Sequence, residues 1–307
     1  PRYVGRTAIT ILAGEPVNTF QETGYNPEID AHKRLIFPES ASVEVAPSGR
    51  ISLAADGLLK VEGTLTARSG EISLESKRDS VVLSSEGRVY ANGINFPKDT
   101  PLADRLPLGY TSLPGGSLRI EARQGSVLAQ AGSFVDVSGS QLVETPLISK
   151  GPAILAEKVA SNPGAVVISF REDVALKGTI EGRNYLPDGL YASISMNHRP
   201  NNEAIWNIVP QQIKSLQRSG FGHFTFSSTG GIGFSGGADL LIPGSLTLDA
   251  PMISGNGNDV RLKAPWLILA NTRSKYSGNE NKDSRSLIAL REMAILETGA
   301  AQLEMEG

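Results

Sequence analysis

Short bursts in which every second residue is apolar run through most of the chain. Between Gly244 and Asn271 they are Leu246 and Leu248, then Val260, Leu262 and Ala264, then Leu267 and Leu269. Strict alternation places one set of side chains on a buried face and the other in solvent, so each burst predicts a half-buried strand. Asp, Asn, Gly and Pro residues between the bursts supply the turns. The bursts are too short and too closely spaced for helices.

The pattern recurs. Leu246 and Leu267 are 21 positions apart, and so are Ile51 and Ile72, with Leu59, Val61 and Leu65 between them. Gly116 to Ser140 repeats the style with Leu118 and Ile120, Val127 and Ala129, then Val135 and Val137. A period of about 20 residues carrying about three short strands is the signature of a solenoid, and strands rather than helices make it a parallel β-helix. The expected fold is all-β, with a lateral helical insertion.

Residues 1–41 show no coil period; a strand-like fragment at Thr7–Leu12 is followed by Pro16, Pro27 and Pro38, which predicts an irregular or laterally packed extension. Coils are expected over 42–183, interrupted at 95–116 by a Pro-rich excursion. A short helix is expected around Ala153–Val159. Residues 184–219 read as a helical insertion, because Ile205, Ile208, Val209, Ile213 and Leu216 fall at helical spacing, with Pro210 either kinking that helix or opening a second one. Coils resume over 220–307. The simplest reading of the helix packs its apolar stripe on the solenoid flank. The sharper one makes it a docking or membrane-surface helix, with Trp206, Lys214 and Arg218 as candidate partner contacts.

Composition narrows the picture. The chain has 307 residues, more than a usual single domain, but a solenoid escapes that limit because each coil buries its core only against its neighbours. With 33 Gly, 40% hydrophobic residues and only 6% aromatics, the core must consist of many small aliphatic side chains. A net charge of -3 with scattered Lys and Arg argues against a nucleic-acid footprint. Cysteine is absent, which excludes a disulfide framework, a thiolate nucleophile and a zinc ribbon, and suits an exported bacterial β-helix. No apolar run approaches the roughly 18 residues of a membrane span. The first residues carry neither an initiator Met nor a signal pattern, and LEMEG near the end is strand-like, so the chain is expected to be a piece of something longer.

From Ser219 to Asn271 a helix end at Ser219-Gly220-Phe221-Gly222, an alternating Phe224-Phe226 strand, Gly-rich turns, GSLTLDAP and VRLKAPWLILAN succeed one another. This succession resembles the filamentous haemagglutinin-like large exoproteins of Gram-negative bacteria, which leave the cell by two-partner secretion. Ser48–Glu75 and Gly116–Ser140 support it in style; the Pro-rich and helical excursions depart from the plain repeat. The resemblance implies a right-handed parallel β-helical shaft, secreted or attached to the cell surface. It also implies an outer-membrane two-partner secretion transporter as partner, and work in adhesion, biofilm cohesion or presentation of a distal effector, with a glycan or cell-surface receptor as the contact. It carries over no catalytic residue, cofactor or metal.

Motifs with their own chemistry are weak. Gly231, Gly233 and Gly236 satisfy G-x-G-x-x-G, but the residues after them are strand-like and include Pro243, where a dinucleotide site needs a helix N-terminus. Gly230-Gly231-Ile232-Gly233-Phe234-Ser235 lacks the Asp of a calcium β-roll. His32, His198 and His223 sit in unrelated segments without acids at metal spacing. The competing reading is a β-helical polysaccharide-binding or polysaccharide-cleaving enzyme, which needs acids converging in a groove. Here Asp136, Asp249 and Asp259 lie at strand ends where Asp makes turn hydrogen bonds. Glu304 with Glu306, Arg119 with Glu121, and Arg261 with Lys263 read as outward partners of inward aliphatics.

Overall fold

The computed structural model describes residues 8–13, 34–95, 112–147, 155–186, 189–201, 204–236, 238–255, 257–258, 260–272, 289–291, 295–298 and 303–306. Among the sequence-based expectations, most of the Pro-rich excursion, His32 and Asp259 lie outside these residues.

Alternation closes into a parallel β-helix, and one ladder threads it from end to end. Ten parallel strands form the long sheet, from Ala8–Ala13 through Arg50–Ala55, Glu71–Ser76, Ser117–Ala122, Ala165–Phe170, Ala192–His198, Phe221–Ser228, Ser245–Asp249 and Trp266–Ala270 to Leu303–Glu306. At about 4.8 Å between strands, ten coils give a shaft on the order of 45 Å. Register partners stack like on like: Ile51 lies on Ile72, Ile72 on Leu118, Leu118 on Val166 and Val166 on Ile194. The 21-residue steps from Ile51 to Ile72 and from Leu246 to Leu267 are register steps of this sheet.

Two shorter sheets complete the first five coils. The second side stacks Leu35–Phe37, Leu59–Val61, Val81–Leu83, Val127–Ala129 and Val174–Leu176; the third stacks Ser42–Glu44, Thr64–Thr66, Arg88–Tyr90, Phe134–Asp136 and Thr179–Glu181. The core-facing residues of these strands are aliphatic, and Leu59, Val61, Leu65, Ile72, Leu74, Val81 and Val89 are fully buried. Where the third side turns back into the long sheet the coils approach too closely for a side chain. A Cβ on Gly164 would lie 1.8 Å from the Gly116 carbonyl oxygen, and one on Gly116 would lie 2.0 Å from that of Gly70.

Coils therefore begin before residue 42, because Ala8–Ala13 pairs with Arg50–Ala55 and Leu35–Phe37 with Leu59–Val61. The long stretch of chain between Ala13 and Leu35 hides this by breaking the sequence period. The helix expected around Ala153–Val159 is instead a strand, Leu155–Val159, paired antiparallel with Val143–Leu147. A second antiparallel pair, Ile94–Asn95 with Ser112–Leu113, closes the base of the Pro-rich excursion. Both excursions leave from the same corner and their necks are tied together. The Ser161 hydroxyl donates to the Leu113 carbonyl at 2.8 Å and accepts the Ser140 amide at 2.7 Å.

The segment at 184–219 is mostly coil. Ala192–His198 joins the long sheet, Ile205–Ile208 forms a second-side strand, and only Pro210–Arg218 is helical; we call this helix α1. The apolar spacing over 205–216 reads as one helix because Trp206 and Ile208 alternate at period two just before Ile213 and Leu216 recur at a spacing of three. Pro210 marks the change: it opens α1 at its first turn, where its missing N–H costs nothing. Gly220, at φ +100°, closes the helix, and its amide reaches the Gln217 carbonyl.

Candidate functional site

Helix α1 occupies the place a third-side strand holds in other coils, and this creates a seam. Nine residues are too few for a helix to persist alone, so α1 depends on burying Pro210, Ile213 and Leu216 against the strands Phe221–Ser228 and Ala238–Leu241. The Gln217 side-chain amide donates to the Leu241 carbonyl at 2.7 Å, covering part of the open edge of the next third-side strand. On the second side, Val174–Leu176 ends one sheet and Ile205–Ile208 begins another. Only the long sheet crosses the seam without a break.

Aromatic side chains fill the core there. Trp206 meets Phe170 edge-on at 5.2 Å and Phe226 edge-on at 5.7 Å, while Phe221 and Phe234 are fully buried. Trp206 is 7% exposed, so it serves the core and is not the surface contact its neighbourhood in sequence suggests. Lys214 and Arg218 do face outward: with Asp239, Leu241 and Lys263 they line a shallow groove of about 660 Å³ between α1 and the third side. The structure thus separates the three candidate contact residues, one inside and two outside.

A second cleft, of about 460 Å³, opens at the corner between the long sheet and the second side. Its lining includes Gln124, Arg171, Glu172, Asp173, His198 and Asn201. Turn length creates it: three residues, 171–173, join the two strands of the fifth coil, but six, 199–204, join those of the sixth. Beside the cleft lies a feature the linear sequence hides. The residue after the last core-facing position of the long strand is basic in four successive coils: Lys77, Arg123, Arg171 and Arg199. Intervals of 46, 48 and 28 positions between them conceal the alignment. Aligning the chain on the ends of its long strands exposes it.

Carboxylates below this row hold two of its members, Arg123 and Arg199. Glu121, with a side chain only 12% exposed, receives Arg119 at 2.9 Å on one oxygen, and Arg123 and Arg199 at 3.7 Å on the other. Arg123 also reaches Glu75 at 2.8 Å. The guanidinium groups of Arg119, Arg123 and Arg199 stay about half exposed. Arg119 and Glu121 are therefore the paired outward residues expected, but Glu121 is far more enclosed than a solvated face implies. Asp136 makes the expected turn bond, accepting from the Ser138 amide at 2.8 Å, whereas Asp249 reaches the next coil and accepts from the Thr272 amide at 2.8 Å and its hydroxyl at 2.6 Å.

His198 sits at the floor of the cleft, with Nδ1 3.0 Å from the Ser228 hydroxyl and its ring 5.2 Å from Phe170. Burial lowers its pKa, against the opposing pull of a hydrogen bond with the Arg171 main chain and the charge of Asp173. His223, 2.9 Å from the Ser245 hydroxyl, is also lowered by burial. Gly231 and Gly233 lie within the strand Gly231–Phe234, and Gly236 at φ +82° makes the turn after it, so the glycine triplet serves strand and turn geometry. Among the described residues no group of three acids, histidines or cysteines is placed to hold a metal, and no helix is long and apolar enough to cross a membrane.

No family model, curated protein or solved structure matches the chain.

Proposed function

We propose that this chain is a structural β-helical segment of a secreted or cell-surface adhesin-like exoprotein, exported through an outer-membrane two-partner secretion transporter. It mediates adhesion or cell-to-cell contact, or presents a distal effector. One observation carries the reading: a single parallel ladder of ten strands runs through every coil, including the seam. Hydrogen bonds along the shaft axis make such a body stiff, as a spacer that projects binding surfaces must be.

The charged residues on its outer face support the same reading. Glu71, Glu75 and Glu121 are each ion-paired with an arginine, Arg50, Arg123 and Arg119 in turn, as on the solvated outer face of a shaft. The purified chain, immobilised on a surface, is expected to retain Gram-negative bacterial cells or their extracellular matrix above the level of a bare surface. Equal retention on both surfaces contradicts the proposal.

A further inference from the structure

We infer that the corner spanning the fourth to sixth coils binds an acidic polysaccharide, the sugar chain lying along the shaft across Arg123, Arg171 and Arg199 and reaching into the adjoining cleft. The inference deepens the adhesive reading by naming the ligand, and rests on it only for the setting in which shaft and polysaccharide meet.

Three observations select this ligand. The basic positions follow the coil repeat, one at the end of each successive long strand, and the side chains of Arg123 and Arg199 converge on Glu121. Cations contributed by successive coils suit an extended polyanion lying along the shaft better than a single small anion. The side chains of Arg123 and Arg199 are about half exposed, whereas Glu121, which pairs with both, is nearly enclosed. Anchoring from below fixes the forks in orientation and leaves outward N–H groups for a ligand carboxylate. Arg171 lines the adjoining cleft and adds a cation there.

The acids around the row decide which polyanion fits. Glu172 and Asp173 are exposed at the cleft, and Asp173 uses one oxygen on the Val174 amide at 2.7 Å. Asp79 likewise holds the Ser80 amide, and Asp56 holds Arg78. These carboxylates keep lone pairs facing the mouth of the cleft. They accept hydrogen bonds from hydroxyl groups, which a polysaccharide carries in abundance, and the amides of Gln124 and Asn201 both donate and accept. Arginines with interspersed hydroxyl acceptors therefore match a uronic-acid-type polymer, which carries a carboxylate together with free hydroxyl groups on each sugar.

The test is titration of the purified chain with polygalacturonate, with dextran as the neutral control. Binding to polygalacturonate but not dextran is expected, weakening roughly 20-fold between 50 and 200 mM salt, as displaced counterions require for about three ionic contacts. Arg123→Gln with Arg199→Gln is expected to weaken binding at least tenfold, while Lys214→Gln with Arg218→Gln, in the other groove, leaves it unchanged. Should the double exchange disturb folding by circular dichroism, Arg199→Glu alone, at a side chain 55% exposed, makes the same comparison. Failure to bind polygalacturonate, equal binding to dextran, or equal sensitivity to the Lys214 and Arg218 exchanges overturns the inference. Those results leave the cell-retention test of the adhesive reading untouched, so the two fail separately.

Discussion

Coils two to five and the seam at coils six and seven solve one packing problem with different side chains. In the former, leucine, isoleucine, valine and alanine stack on their own kind in all three sheets. In the latter, α1 replaces a strand and the cross-section is filled by Trp206, Phe221, Phe224, Phe226 and Phe234, with Phe170 at the end of the fifth coil packed against Trp206. The long strand also lengthens, to eight residues at Phe221–Ser228, with a register shift between Ala192 and Ser193 that lets Gly222 bulge. The difference teaches that a solenoid tolerates a foreign element when one ladder stays continuous. Two of the three sides are broken at the seam, and the long sheet alone joins the halves by strand pairing.

That contrast can be broken by truncation. Trp206→Ala is expected to cost about 3–5 kcal/mol, because it empties the space between Phe170 and Phe226 where no second ladder compensates. Leu74→Ala, in a regular coil with stacked neighbours on both sides, is expected to cost about 2–4 kcal/mol. Urea melts of both variants measure the two values; a Trp206→Ala loss below that of Leu74→Ala removes the distinction between the regions. Gly116→Ala is expected to cost about 1–3 kcal/mol by overpacking, since the new methyl meets the backbone of the neighbouring coil. An unchanged melting midpoint would show that the coils separate more easily than the stacked glycines imply.

Acidification sharpens the comparison from the seam side. The folded pKa of His198 lies below its ordinary value of 6.5, so the unfolded chain takes up the proton first. The stability this histidine contributes is complete above pH 6.5 and is lost as pH falls through that value toward the folded pKa. Thermal melts are expected to drop on going from about pH 7.5 to 5.5, and His198→Gln to flatten that drop. His223 adds a change of the same sign, so the variant keeps a residual slope. The smallest effect is expected at Arg50→Ala: its ion pair with Glu71 is well exposed, and a loss of no more than about 0.5 kcal/mol is expected.

Much of this architecture is legible in the sequence. Period-two bursts name the strands, and two clean 21-residue steps fix the coil and its register. What hides is anything that depends on aligning coils across insertions. Residues 8–13 belong to the long sheet, yet 42 positions separate Ala8 from its partner Arg50, so no period connects them. Ile205–Ile208 with Pro210 close behind imitates a helix because two periodicities meet at one proline. The basic row at Lys77, Arg123, Arg171 and Arg199 is invisible for the same reason: each cation looks isolated until the long strands are stacked. Of the site itself, Lys214 and Arg218 are readable as outward cations of a short amphipathic helix. Burial of Trp206 is not, because an aromatic beside a helix carries no mark of which face the preceding strand turns inward.

A glycan array that includes uronic-acid polymers, with chain length measured before and after incubation for every retained glycan, tests the account most directly. Retention of acidic glycans with their lengths unchanged is the predicted result. Shortening of a retained glycan would contradict the structural reading and make this β-helix an enzyme.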